Sequence, residues 1–99
     1  MAAPDPVAVA PHVYSVVYEN ERVRVLDARG NPGDKTEVHS HPDLVAIGVN
    51  DCHIRIQLPD GQTVDAQLKP TEVLYLQAQE HAVEILGSGE TRMLIIELK

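Results

Sequence analysis

The sequence contains no phenylalanine and no tryptophan, and tyrosines supply all of its 3% aromatic content. Since 43% of the residues are hydrophobic, the interior must be built from Val, Ile, Leu and Ala, and any pocket inside it is expected to be aliphatic. Nucleic-acid bases commonly stack on aromatic side chains, so this composition disfavours nucleic-acid binding. The length, 99 residues, predicts a single domain.

Cysteine and positive charge are also scarce. Cys52 is the only cysteine, which excludes an internal disulfide. The formal net charge of -7 repels phosphate backbones and anionic membrane surfaces, so we expect neither as a partner. No segment reaches the roughly 18 apolar residues of a membrane span, and the N-terminus lacks the features of a secretion signal. A cytoplasmic location is therefore expected.

Turn-forming residues recur along the chain at intervals of about ten residues, which is typical of a β-sandwich or barrel. Between them the hydrophobic residues alternate with polar ones, as in the segment 53–58, and this period of two indicates half-buried strands. Two nearly continuous apolar runs, 73–76 and 93–98, are expected to be strands covered on both faces. These patterns predict an all-β domain.

The N-terminal residues 1–12 contain three prolines and are predicted to form an extended arm, with the β-domain covering residues 13–99. The apolar segment 13–18 follows the arm. An outer strand presents unpaired backbone groups that invite pairing with another chain, so we expect this segment to pair across a twofold axis in a homodimer.

Three of the five histidines are spaced in a way that suggests a metal site. His39 and His41 are two residues apart, and strand side chains at that spacing share a face. The pair is suited to chelating one divalent ion, although two exposed histidines at a strand end would have the same spacing. His81 has the same parity as Val83 and Ile85 in a later strand, and a closed sheet can bring it opposite the pair.

The histidine pair with the glycine before it resembles the start of the first cupin motif. In the sequence, Gly33 is followed by five residues and then His39-Ser40-His41. Residues 20–99 follow the pattern of small stand-alone cupins of the RmlC-like superfamily. The resemblance implies a cupin-type jelly-roll barrel (a double-stranded β-helix) over 13–99, commonly dimeric, with a metal held inside by His39, His41 and His81.

Several positions depart from the family pattern. The glutamate expected after the pair falls on Val45, which has no metal-binding group, and the closing glycine falls on Cys52. In the second motif His81 is one place early, and the expected glycine, proline, glycine and asparagine fall on Thr71, Gln77, Gln79 and Ile85. Two interpretations are open: a three-histidine site without the carboxylate, as in some iron-dependent cupins, or a metal-free barrel whose histidines line a ligand pocket.

Other polar residues are weaker candidates. Glu84 could replace the missing ligand or act as a general base, but its strand parity is opposite to that of His81. Glu37 shares the parity of the histidine pair and could orient an imidazole through a hydrogen bond. Gln77 and Gln79 would face the barrel mouth, where they could contact a substrate or solvent. Cys52 is expected to be a small buried hydrophobe.

The sequence thus suggests a metal-dependent, dioxygenase-like cupin enzyme that acts on a small, anionic organic molecule. Fe(II) is the expected metal, with Mn, Ni, Cu and Zn as further possibilities, and no catalytic residue besides the ligands is assigned. His12 and His53 are expected to be exposed. The alternatives are a non-catalytic small-molecule-binding or sensor cupin with a metal-free site, and a purely structural barrel with a filled interior.

Overall fold

The computed structural model describes residues 3–99, which form one short helix and nine β-strands. The elements are α1 (Pro6–Val9), β1 (Tyr14–Glu19), β2 (Val23–Gly30), β3 (His39–His41), β4 (Leu44–Gly48), β5 (Cys52–Gln57), β6 (Thr63–Leu68), β7 (Val73–Leu76), β8 (Gln79–Ile85) and β9 (Thr91–Leu98). Among these residues no helix is long and apolar enough to span a bilayer. The predicted cytoplasmic location stays a prediction.

The strands form two antiparallel sheets that face each other across an aliphatic core. One sheet has the order β1-β2-β9-β4-β7 and the other β3-β8-β5-β6. The buried residues of the core include Leu26, Ala46 and Ile95 from the first sheet and Ile56 and Val83 from the second. The predicted all-β jelly-roll barrel is therefore confirmed.

The alternating pattern was a sound guide to β5, whereas the interpretation of the continuous apolar run in β7 was wrong. In β5, Cys52 and Ile56 are buried and Ile54 packs against the core, as the period of two predicts. The run 73–76 was expected to be covered on both faces, but Val73 is 62% exposed and Tyr75 53% exposed. The prediction is wrong there because β7 is the last strand of its sheet, and nothing in the described chain packs on the outside of this strand.

Strand β2 places a charged residue inside and valines outside. Leu26 and Ala28 are buried, and Arg24 shares their parity. Its Nε donates a hydrogen bond to Oε1 of Glu97 at 2.7 Å, while Val23 and Val25 lie on the opposite face of the strand. The inward guanidinium is stabilised because a buried carboxylate lies opposite it, a partner that the local sequence of β2 does not reveal.

An extended arm was predicted for residues 1–12. The described part of this segment, residues 3–12, contains the short helix α1 instead. Asp5 caps a helical turn by accepting a hydrogen bond from the amide of Val7 at 3.0 Å, and Pro6 occupies the first turn, where its missing N–H costs nothing. Pro6 and Ala10 are buried. Residues 1 and 2 lie outside the described residues, and the domain boundary at 12/13 stays a prediction.

This segment crosses the gap between the edge strands of the two sheets, β1 and β3, and α1 packs against both. Ser40 donates from its backbone N–H to the carbonyl of Pro4 at 2.9 Å and from Oγ to the carbonyl of Ala3 at 2.8 Å. The amide of Ala3 also donates to the carboxylate of Glu80. Asp5 forms an ion pair with Arg24 at 2.6 Å. These contacts fasten residues 3–10 along the edge strands β1 and β3.

The turn that joins β6 to β7 contains a threonine in a conformation suited to glycine. The amide of Glu72 donates to the carbonyl of Lys69 at 3.0 Å, with Pro70 and Thr71 between them. Thr71 has φ +70°, the positive value that a type II turn requires at its third residue. A β-branched residue is strained in this conformation. The cupin pattern has a glycine at this position, and Thr71 retains the backbone conformation typical of that glycine.

Replacing Thr71 with glycine is therefore expected to stabilise the protein. Left-handed backbone costs an L-residue about 1–2 kcal/mol, whereas glycine loses roughly 0.5–1 kcal/mol through chain entropy. We expect Thr71→Gly to raise the free energy of unfolding by about 0.5–1 kcal/mol in urea denaturation. Thr63→Gly, in the extended strand β6, is the matched control and should lower it. A lower value for Thr71→Gly would contradict the strain.

Candidate metal centre

Two neighbouring strands bring the three predicted histidines together. In the antiparallel pairing of β3 with β8, His39 lies directly opposite His81. His41 shares the inward face of β3 with His39 because the two are separated by one residue. All three side chains are buried, and one ring nitrogen from each lies within 4.8 Å of the others. The cluster that the sequence pattern suggested is therefore present as a compact set of three imidazoles.

Each of the three histidines has an acceptor at its Nδ1 atom. The distances are 2.9 Å from His39 to the carbonyl of Glu37, 2.6 Å from His41 to Oε2 of Glu97, and 2.8 Å from His81 to Oε1 of Gln79. Since a carbonyl or carboxylate oxygen only accepts, each ring carries a proton on Nδ1, so Nε2 is the nitrogen that has the lone pair when the imidazole is neutral. An oriented imidazole with its second nitrogen bonded to an oxygen is typical of protein metal ligands, so the donor set fits a divalent ion.

Burial keeps two of these rings neutral. Burial, with the neighbouring His41 and His39, lowers the pKa of His81 from 6.5 to about 3. Burial likewise lowers the pKa of His39. A metal ligand must offer an unprotonated nitrogen, and these pKa shifts keep the lone pairs available near neutral pH.

Glu97 is the residue of the site that the sequence analysis did not identify. It lies on the inward face of β9, 3% exposed, between His41 and Arg24. Burial alone would raise its pKa, but the hydrogen bonds from His41 and Arg24 lower the pKa of the Glu97 carboxyl below its usual value. Strand parity could have identified Glu97 in the sequence, because this residue continues the alternating series of buried positions that includes Met93 and Ile95.

The other candidate residues occupy different places. Glu37 contributes its backbone carbonyl rather than its carboxylate, and Gln79 contributes its side-chain oxygen to His81. Val45, at the position of the expected glutamate, alternates with the buried Leu44 and Ala46 and so faces away from the core. Glu84 alternates with the buried Val83 and Ile85 on β8 and also faces away from the histidines.

Three further candidates lie outside the cluster. Cys52 is buried, and its thiol donates to the carbonyl of Arg92 at 3.0 Å. His12 is exposed, as predicted, with its Nε2 2.9 Å from the carbonyl of Lys35. His53, expected to be exposed, is half-buried.

Tyr14 covers the cluster from β1. Its hydroxyl lies 3.4 Å from Nε2 of His39, and its ring meets those of His39 and His41 edge-on, with centroids 5.2 and 5.8 Å away. Burial, together with the negative charge of Glu97, raises the pKa of the Tyr14 hydroxyl above its usual value. The phenol therefore stays protonated next to the three imidazoles.

The barrel interior leaves little free space. A cavity of about 40 Å³ lies among aliphatic side chains, with His41 and His81 in its wall as well as Cys52 and Thr91. A buried water needs at least about 10–15 Å³ of such volume, so the cavity holds roughly two to four water-sized groups. The interior is aliphatic, as the composition predicted, but a molecule admitted to it in this conformation can have only a few heavy atoms.

Known structures share this fold. A cupin domain from Bordetella pertussis Tohama I is 28% identical to the chain, with a TM-score of 0.78 over 100% of this chain and 98% of the other. A cupin superfamily protein from Desulfitobacterium hafniense DCB-2 is 24% identical, with a TM-score of 0.62 over 87% of this chain and 75% of the other. An RmlC-like cupin family protein with a double-stranded β-helix fold, from Methanocaldococcus jannaschii, is 12% identical with a TM-score of 0.70, over 87% and 78% of the two chains.

Sequence comparison adds nothing to these structural matches. No protein-family model matches the chain, and a search of curated proteins finds no match. The structural matches and the named families of those proteins agree with the resemblance found in residues 20–99.

The neutral state of His81 predicts a pH dependence of stability. Its pKa is about 3 in the folded protein against 6.5 in the unfolded chain, so between these values only the unfolded chain takes up the proton. The free energy of unfolding is therefore fully retained above about pH 6.5 and falls below it by up to about 1.4 kcal/mol per pH unit. Urea denaturation of metal-free protein between about pH 7.5 and about pH 5 measures this slope.

His81→Gln removes that titration and should reduce the slope, whereas His53→Gln, outside the cluster, should retain it. An equal slope in His81→Gln and the unmodified protein would mean that His81 is not held neutral by the fold.

Proposed function

We propose that this chain, which is a small single-domain cupin by its fold, binds one divalent metal ion through the Nε2 atoms of His39, His41 and His81. The observation that carries the proposal is the acceptor bound to Nδ1 in all three rings, which leaves Nε2 as the nitrogen that can bind a metal ion. Hydrogen bonds that fix the tautomer and orientation of a histidine ligand strengthen metal binding.

A divalent ion bound there would keep a net positive charge. The three ligands would be neutral imidazoles, and the carboxylates of Glu97 and Asp5 share the single guanidinium of Arg24, at 2.7 and 2.6 Å, which leaves one negative charge against the two of the ion. A divalent ion bound there supplies Lewis acidity and open coordination positions for a small anion and for dioxygen. We therefore propose a dioxygenase-like reaction on a small anionic organic molecule, with Fe(II) as the metal, by analogy with three-histidine cupins.

The geometry restricts the size of what reaches the centre. His39 has no exposed surface, residues 3–10 lie along the edge strands β1 and β3, and the cavity beside His41 and His81 measures about 40 Å³. A substrate of a few heavy atoms is consistent with that volume. The same volume disfavours a metal-free binding or sensor cupin with a larger ligand inside the barrel, and it is also what the third alternative, a purely structural barrel with a filled interior, predicts.

Elemental analysis of purified, untagged protein tests the metal site. We expect about one metal ion per chain in the unmodified protein and less than about a tenth of that in His39→Ala/His81→Ala, because removing two of three ligands leaves a single weak donor. The same measurement identifies the metal as Fe, Mn, Ni, Cu or Zn. Iron-loaded protein can then be assayed for oxygen consumption with thiols and carboxylates of a few heavy atoms.

The matched control is His12→Ala/His53→Ala, which removes two histidines outside the cluster and should retain the metal. Metal that persists after loss of His39 and His81, or is absent from the unmodified protein after supplementation, would overturn the proposed site and leave the metal-free barrel as the alternative.

We also propose that the protein is a homodimer paired through β1. This strand is at the edge of its sheet, and it exposes Val16, Val17 and Tyr18 at 43%, 56% and 56%. An edge strand with exposed apolar side chains can extend its sheet by pairing with another copy.

Light scattering after size-exclusion chromatography should give twice the mass of one chain. Val17→Lys is expected to shift it to one chain, because a charge on an edge strand opposes pairing. Val49→Lys, at an exposed apolar residue outside β1, should remain dimeric. A single-chain mass for the unmodified protein at micromolar concentration would contradict the dimer.

A further inference from the structure

The hydroxyl of Tyr14 is a buried hydrogen-bond donor whose partner is itself a predicted metal ligand. Tyr14 is 4% exposed, and among the described residues its hydroxyl lies within hydrogen-bonding distance of Nε2 of His39, at 3.4 Å. Since Nδ1 of His39 carries the proton donated to Glu37, Nε2 is the acceptor and Tyr14 is the donor.

This hydrogen bond and a metal bond at His39 exclude each other. An imidazole nitrogen without a proton has one lone pair in the ring plane. If that lone pair binds a metal ion, as the proposed function requires, it is no longer available to the Tyr14 hydroxyl. The donor would then be buried without an acceptor, and buried polar groups in folded proteins almost always have one.

We infer, resting on the proposed function, that in the metal-bound protein Tyr14 donates its hydroxyl hydrogen bond to a small anionic molecule held at the metal beside His39. Tyr14 would thus be a ligand-binding residue, and its donor would change partner from His39 to the bound molecule. The exchange requires the hydroxyl to leave the lone-pair direction of Nε2, and its present distance of 3.4 Å from that atom places it beside the proposed ion.

The surroundings define the chemical class of that molecule. The Tyr14 hydroxyl is a hydrogen-bond donor beside Nε2 of His39, and a donor in this position favours a partner with a lone pair and negative charge. The adjoining cavity of about 40 Å³ is mostly aliphatic, which limits the molecule to a few heavy atoms. A linear triatomic anion such as azide has these properties and serves as the probe.

The test is an azide titration of protein loaded with Co(II), followed through the visible absorption of the metal. Hydrogen bonds to charged groups are stronger than neutral ones, so Tyr14→Phe is expected to raise the dissociation constant for azide about tenfold while the cobalt content stays the same. The matched control is Tyr75→Phe. The Tyr75 hydroxyl donates to Asp43 at the surface at 2.8 Å, and its loss should leave azide binding unchanged.

The outcomes separate this inference from the proposed function. Full cobalt uptake with the same azide affinity in Tyr14→Phe and the unmodified protein would overturn the role of Tyr14 and leave the metal site standing. No cobalt uptake by the unmodified protein would overturn both. An equal loss of azide affinity in Tyr14→Phe and Tyr75→Phe would also overturn the role, since Tyr75 is not at the site.

A second measurement needs no variant of Tyr14, in case Tyr14→Phe fails to fold. In zinc-loaded protein labelled with ¹³C at the tyrosine ring carbon that bears the hydroxyl, azide should shift the Tyr14 resonance and leave those of Tyr18 and Tyr75 in place. Tyr18→Phe and Tyr75→Phe, both at exposed positions, assign the signals. A Tyr14 resonance that does not respond while azide binds would overturn the inference.

Discussion

The antiparallel pairing of β3 with β8 is the constraint on which the rest of the site depends. It places His39 opposite His81, and the inward face of both strands carries the three imidazoles. Because the side-chain period of a strand is two, a slip of one residue would turn the histidines outward and the polar Ser40 and Glu80 inward. Those two residues hold the N-terminal segment on the opposite face, so the same register positions both the cluster and that segment.

The buried carboxylate of Glu97 accepts a hydrogen bond from Nδ1 of His41 and is not one of the proposed metal ligands. Glu97 accepts from His41 at 2.6 Å and from Arg24 at 2.7 Å, and Arg24 in turn pairs with Asp5 at 2.6 Å. A buried carboxylate without partners would be strongly unfavourable, and this series of contacts compensates for its burial. It also connects the N-terminal segment to His41, so that the position of this segment and the orientation of one imidazole share a single network of polar contacts.

The absence of phenylalanine and tryptophan shows in the interior of the barrel. Aliphatic side chains from both sheets fill it, leaving about 40 Å³ beside His41 and His81. With residues 3–10 along β1 and β3, the cluster is buried enough to keep His81 neutral. Such burial favours neutral imidazoles, the form that a metal ligand needs, and the small volume would admit only very small molecules. Tyr14 stands out in this apolar setting because its hydroxyl reaches the cluster.

The sequence by itself was sufficient for the features that depend on local periodicity. Alternation in β5 and β8 predicted the strands, and the one-residue spacing of His39 and His41 predicted their common face, because side-chain direction in a strand follows directly from parity. The position of Gly33 before the pair supported the family resemblance, and its φ of +94° agrees with a glycine-specific backbone.

Only the tertiary structure decided which faces are covered and which distant residues meet. Val45 and Tyr75 face away from the core, whereas Glu97, Arg24 and Tyr14 face the cluster, and the sequence alone does not show that these distant residues meet. Which residues meet depends on the order of the strands, because β9 lies between β2 and β4 and therefore places Glu97 next to both of these strands. Parity can divide a strand into two faces, but only the packing of one sheet on the other determines which of the two is inside.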